Sequence, residues 1–157
     1  MVKIKKGFMV LALCSALLIG LVGCEKNGDE KIVFDFDTHD VKQLEVFRYS
    51  DTSDAEKFVI ADKEKIDHVL LTITSLDYKV NNKVAPEGVQ VTSFRFHLAD
   101  NSYVDVIYAD IGVKDGIIKS PKLFNYKTQA DLGGVGLDLI EGVPAEKVSE
   151  DELPYYE

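Results

Sequence analysis

Ser93, His97 and Asp105 are the residues of this chain whose types and spacing come nearest to acid–base or nucleophilic chemistry. Ser93 and His97 lie in the run Thr92-Ser93-Phe94-Arg95-Phe96-His97-Leu98, where apolar and polar residues alternate as in a half-buried strand. A strand puts both on one face but rises about 3.4 Å per residue, so four residues hold them roughly 13 Å apart. Proton transfer needs about 2.6–3.2 Å, which excludes a serine activated directly by this histidine. Asp105 is the better partner. A turn at Asp100-Asn101-Ser102 sets Leu98 opposite Val104, Phe96 opposite Val106 and His97 opposite Asp105. The pair reads first as a solvated cross-strand ion pair, contributing at most about 1 kcal/mol. It is also the acid–base couple that a hydrolase built on this hairpin would use.

Asp35, Asp37, His39 and Asp40 form a second cluster, of a kind that suits calcium through oxygen or zinc and manganese through carboxylate and imidazole. The spacing lacks the glycine and distal glutamate of an EF-hand loop, and the segment reads as a polar loop with His39, Asp35 and Asp37 as weak metal candidates. Glu64 and His68 stand four apart on a helical stretch, which supplies two ligands and not a site. Gly133-Gly134-Val135-Gly136 has neither the ending of a phosphate-binding loop nor dinucleotide spacing, and reads as loop. Tyr49, Tyr103 and Tyr126 are candidates to line a ligand surface. No catalytic residue, resident metal or cofactor is assigned.

These side chains need elements to hold them. Val41 to Ser50 and Lys57 to Ala61 are rich in Val, Phe, Tyr and Ile and read as strands about a turn at Asp51-Thr52-Ser53-Asp54. Asp62 has the chemistry of a helix N-cap, and Ile66, Val69, Leu70 and Ile73 then recur at i, i+3, i+4 and i+7. Ile32, Phe34 and Phe36 alternate as an edge strand or the end of a tether. Leu76, Tyr78 and Val80 alternate after the helix, and the hairpin about Asp100 follows. Lys114-Asp115-Gly116 reads as a second hairpin turn with Gly116 at positive φ, and Ile117 to Lys119 as its returning strand. Leu123, Phe124 and Tyr126 suggest a last short strand. The expected architecture is α+β, one main helix packed on an antiparallel sheet of five or six strands over residues 31–143. Residues 144–157 read as an acidic, disordered tail.

The N-terminus carries the most specific signal. Lys3, Lys5 and Lys6 precede an apolar stretch from Phe8 to Val22, about 15 residues, shorter than the roughly 17–25 of a spanning helix. The stretch ends Leu21-Val22-Gly23-Cys24, which resembles the lipobox of bacterial lipoproteins; Val22 stands where alanine or serine is commoner. The resemblance covers residues 1–24 and implies that a diacylglyceryl group joins the Cys24 thiol and that a signal peptidase cuts before it. On that reading residues 1–23 are a signal peptide and 24–30 a lipidated tether. Each buried lipid CH₂ contributes about 0.8 kcal/mol, so two chains anchor where one is marginal. Cys14 leaves with the signal, Cys24 is acylated, and no thiol remains for a disulfide.

The whole chain has 18 basic and 27 acidic side chains. Without Lys3, Lys5 and Lys6 it has 15 against 27, a formal charge of −12 that repels nucleic acid and anionic lipid headgroups. Arg48 and Arg95 are the only arginines, a lysine bias that points to a low-GC, Gram-positive source. Length, lysine bias and lipobox together resemble the many small lipoproteins of Gram-positive bacteria. The expected function is a non-enzymatic domain, lipid-anchored on the extracytoplasmic face of the cell membrane, that binds an envelope protein or small ligand. The alternatives are an envelope hydrolase or metal-binding protein using His97 with Asp105 or the His39 cluster, and an immunity or inhibitor lipoprotein.

Overall fold

Where the sequence alternates strongly, the chain is extended. The computed structural model describes residues 30–81, 83–121 and 126–154; Leu21, Val22, Gly23 and Cys24, and Leu123 and Phe124 of the expected last strand, lie outside the described residues. The strands are β1 (Val41–Tyr49), β2 (Glu56–Ile60), β3 (Lys79–Val80), β4 (Val91–Leu98), β5 (Tyr103–Gly112), β6 (Asp115–Lys119), β7 (Tyr126–Thr128) and β8 (Glu146–Lys147). They form one antiparallel sheet in the order β3-β7-β6-β5-β4-β1-β2-β8. The fold is α+β. The sheet has eight strands rather than five or six; β3 and β8 are two residues each, and β8 lies in the segment expected as tail.

Two helices are described, α1 (Lys63–Ser75) and α2 (Leu132–Ile140). In α1, Asp62 Oδ1 accepts from the amides of Glu64 at 2.9 Å and Lys65 at 3.3 Å, satisfying two donors of the first turn. Ile66, Val69, Leu70 and Ile73 are all buried, as the spacing requires. Thr72 and Thr74 turn their hydroxyls back onto the carbonyls of His68 and Leu70, so the poor helix formers are accommodated.

Helix α2 corrects the reading of Gly133-Gly134-Val135-Gly136 as loop. Glycine costs about 1 kcal/mol in a helix interior, which hid the element. Asp131 Oδ1 caps the amide of Gly134 at 2.7 Å, and Leu132 and Leu139 are buried. A Cβ on Gly136 would stand 2.6 Å from Thr92 Cγ2, so the bare backbone lets α2 lie close on β4. Packing outweighs propensity.

The β5–β6 turn brings a second correction. The positive φ belongs to Lys114, at 54°, and Gly116 lies inside β6. Gly116 is needed for space: a Cβ there would overlap the ring of Tyr108, whose hydroxyl donates to Ala130 O at 3.2 Å.

Both ends of the described chain are tied down. Glu30 and Tyr78 exchange backbone hydrogen bonds of 2.8 and 2.9 Å beside β3. Ile32 is buried, and Phe34 stacks on Phe36 at 4.9 Å with both rings against Phe96. Residues 144–154, expected as disordered tail, instead add β8 to β2 and a 3₁₀ turn, Glu150–Glu152, with Leu153 buried against Phe47 and Ala55. The acidic composition concealed that Lys57 meets Glu146 and Glu152, each at 3.4 Å, and that Val148 and Leu153 have an apolar place to go. Among the described residues, no helix is long and apolar enough to cross a membrane.

Two predictions follow from the core. Gly116→Ala must displace the Tyr108 ring and is expected to lower unfolding free energy by about 1–3 kcal/mol in denaturant titration. Burial pushes the hydroxyls of Tyr78, which donates to Ile73 O at 2.6 Å, and Tyr108 well above the ordinary 10.0. The folded state therefore keeps both protons after the unfolded chain has lost them. Their contribution is whole below pH 10 and shrinks as pH rises beyond it, so the melting temperature falls there and falls less in Tyr78→Phe.

Candidate functional site

Cross-strand partners share a face, so the register sorts the sheet into two surfaces. Leu44, Val46, Phe94, Phe96 and Val106 form one core with Ile66, Val69 and Ile73 of α1 and Leu132 and Leu139 of α2. The opposite face carries Glu45, Phe47, Arg95, His97, Tyr103 and Asp105 at one end and Tyr49, Val91, Ile107, Ala109, Ile117 and Lys119 at the other. Neither α-helix covers it; the C-terminal segment packs on part of it, with Leu153 against Phe47 and Glu152 O on Arg95.

The first end is ionic. Asp105 pairs in register with Arg95, and His97 with Tyr103, so the expected His97–Asp105 couple is not formed. The loop is Ala99-Asp100-Asn101, with Leu98 N donating to Ser102 O at 2.8 Å and Asn101 in the left-handed region at φ 70°. Setting that loop one residue earlier moves every pair by two positions, which keeps faces and changes partners. Arg95 Nε donates to Asp105 Oδ1 at 2.8 Å and Nη2 to Oδ2 at 3.0 Å, a bidentate pair with side chains 14% and 8% exposed. The guanidinium lies over the rings of Tyr103 at 4.5 Å and Phe47 at 5.2 Å, and Nη1 donates to Glu152 O at 3.0 Å. Burial works against the Arg95 charge, and Asp105 and Glu45 outweigh it, so its pKa is held above the ordinary value. Lys57 is governed in the same way by burial against Glu146, Glu152 and Glu45, and is likewise raised. His97 Nε2 stands 2.9 Å from Glu45 Oε2, a carboxylate on the neighbouring strand β1. Ser93 is buried four residues before His97 on β4.

The second end is apolar. Tyr49, Val91, Ile107, Ala109 and Ile117 line a groove of about 180 Å³, bordered by Ala85, Pro154 and Lys119. Burial pushes the Tyr49 hydroxyl above its ordinary range. Of the tyrosines named from the sequence, Tyr49 therefore lines a cavity and Tyr103 stacks on Arg95. Tyr126 lies elsewhere, at the sheet edge with its hydroxyl on Glu30.

The metal candidates are engaged in local structure. Asp37 Oδ1 accepts from Thr38 N and Asp40 Oδ2 from Asp37 N, capping a 3₁₀ turn at Thr38–Asp40, while His39 Nε2 sits 3.1 Å from Asp37 Oδ2. Asp35 stands at a separate apolar cleft lined by Phe34, Phe36 and Leu98. Among the described residues, no three His, Cys, Asp or Glu side chains converge to hold a metal. Glu64 and His68 lie exposed on α1 beside Asp138 of α2.

Sequence reasoning missed Glu45 as the partner of His97, since strand order brings β1 beside β4 and no local pattern records it. It also missed the groove, whose lining comes from β1, β4, β5 and β6. Asn101, which tolerates the left-handed region, was the available signal for the correct loop. No protein-family model matches the chain, nor does any curated protein or solved structure.

Arg95→Met leaves the Asp105 carboxylate buried without its charge partner. The expected loss is about 3–5 kcal/mol in denaturant titration, and Arg95→Met with Asp105→Leu is expected to recover most of it. Equal losses in the single and double variants would contradict the pairing.

Proposed function

We propose that this chain is a membrane-anchored extracytoplasmic lipoprotein whose domain binds an envelope partner through the sheet face opposite its α-helices and does no catalysis. The observation that carries the binding half is the groove between Tyr49 and Lys119. Its volume, about 180 Å³, is small against the roughly 300–1,000 Å³ of drug-sized ligand pockets. It suits one aliphatic or aromatic side chain presented by a protein, the kind of anchor around which interfaces concentrate their energy.

Anchoring rests on the lipobox, Leu21-Val22-Gly23-Cys24, and the export signal before it. Lipid at Cys24 holds the domain at the extracytoplasmic surface and raises its effective concentration near a partner in the same membrane. The acidic balance favours neither nucleic acid nor a polyanion. A hydrolase at this face would have to work with His97 and Glu45, since Asp105 is committed to Arg95. An immunity or inhibitor lipoprotein is a special case of the binding reading, in which the protein held in the groove is an envelope enzyme.

A photo-crosslinking phenylalanine analogue at Tyr49 tests the site in living cells, with the same analogue at Leu137 of α2, 49% exposed, as control. The expected result is a discrete crosslinked protein from position 49 and none from 137. Equal products from both positions, or none from 49, would contradict the groove as binding site. In the same strain Cys24→Ala is expected to abolish palmitate incorporation and leave uncleaved precursor; a labelled, processed variant refutes the anchor.

A further inference from the structure

The C-terminal segment crosses the sheet instead of running along it. It starts at the β2 edge, where β8 pairs with Glu56 and Lys57 and Val148 N donates to Ala55 O at 3.2 Å. Glu152 O then accepts from Arg95 Nη1 of β4 at 3.0 Å, and Leu153 packs against Phe47 of β1. Pro154 follows, buried, at the border of the groove beside Tyr49. From Lys147 to Pro154 the chain has thus moved from outside β2 to the middle strands. Leu153 is extended, at φ −68° and ψ 144°, the conformation that a following proline imposes. The segment therefore meets the groove without having turned back.

Tyr155, Tyr156 and Glu157, outside the described residues, come next in the sequence. A residue advances the chain by at most about 3.3–3.6 Å, and neighbouring strands lie about 4.8 Å apart. One residue past Pro154 is within the width of the groove, and three reach the strand two places on. We propose that the groove is occupied by the ring of Tyr155 from the same chain, with Glu157 set against Lys119. The inference rests on the groove being a binding site, and it gives that site an internal competitor. Side chains alternate in an extended segment, so Leu153, Tyr155 and Glu157 share the side turned to the sheet and Tyr156 takes the other. Val91, Ile107, Ala109 and Ile117 offer the ring an apolar lining, and about 180 Å³ accommodates one aromatic side chain. The lysine at the border carries the charge opposite to Glu157. A single ring exchanges in and out, so the groove is open for part of the time. A partner's apparent affinity is lowered by that open fraction, and whatever withdraws Tyr155 raises it.

The test uses the full chain, purified in detergent, with the photo-crosslinking phenylalanine analogue at position 155 or, as control, at 156. Peptide mass spectrometry then locates the products. The expected result is intramolecular crosslinks from 155 into β4, β5 or β6, several-fold more abundant than from 156. Equal yields from the two positions, or products of 155 that avoid these strands, overturn the proposal. Mixed-mass products from a mixture of isotopically light and heavy chains also overturn it, since the ring would then come from a second copy. In cells, Tyr155→Ser is combined with the analogue at position 49, and the yield of the partner crosslink is expected to rise several-fold. An unchanged yield of a discrete partner overturns the competition and leaves the groove as a binding site. No product at 49, with or without Tyr155, overturns the groove as a partner site and the competition with it.

Discussion

Leu44, Val46, Phe94, Phe96 and Val106 must leave water together, and both described helices are used to cover them. That constraint determines how the rest of the domain is built. A single antiparallel sheet with its helices on one side has a second face that needs its own means of staying soluble and ordered. Here one end of that face is organised by Arg95, which holds Asp105 in a fork, lies over two aromatic rings and fixes the backbone of the 3₁₀ turn at Glu152. The other end is left as an apolar groove with a lysine at its border. A buried ion pair is a weak source of net stability, since desolvation offsets most of the attraction. In this position it joins β4 to β5 and, through Glu152 O, ties the C-terminal segment to them.

The amphipathic helix was legible because four apolar residues at helical spacing and a capping aspartate agree with one another. The two faces of β4 and β5 were legible for the same reason, since alternation survives any even shift of register. Partners were not. His97 was matched to Asp105 when a one-residue difference in the loop gives Asp105 to Arg95 and leaves His97 with Glu45 of β1. Helix α2 was hidden by its glycines, which a local propensity penalises and a close approach to Thr92 requires. The C-terminal segment was hidden by its acids, whose counter-charge Lys57, like the backbone partner Arg95, lies 57 or more residues away in sequence. In each case a contact between distant parts of the chain decided what neighbouring residues could not. The groove belongs to that class throughout, as it draws on four strands.

The strand order also gives the molecule a direction. Helix α1 carries the chain from β2, near one edge of the sheet, to β3 at the other, where Glu30 joins it. Glu30, the first described residue, thereby lies at the β3 edge, and the Lys119 border of the groove lies on β6, two strands away. Anchoring and binding are separate proposals in chemistry and rest on different parts of the chain. A domain of this kind needs no catalytic group to act: its effect would lie in where it holds a partner.

The central claim is that the groove on the sheet face opposite the α-helices takes a partner, and hydroxyl-radical footprinting of the protein in intact cells and after purification tests it most directly. The account predicts that Tyr49, Val91 and Ile107 are oxidised several-fold less in cells than in the purified protein, while Leu71 and Leu137 on the helices are oxidised equally in both. Equal oxidation of the groove residues in the two settings, or protection spread evenly over both faces, would contradict it.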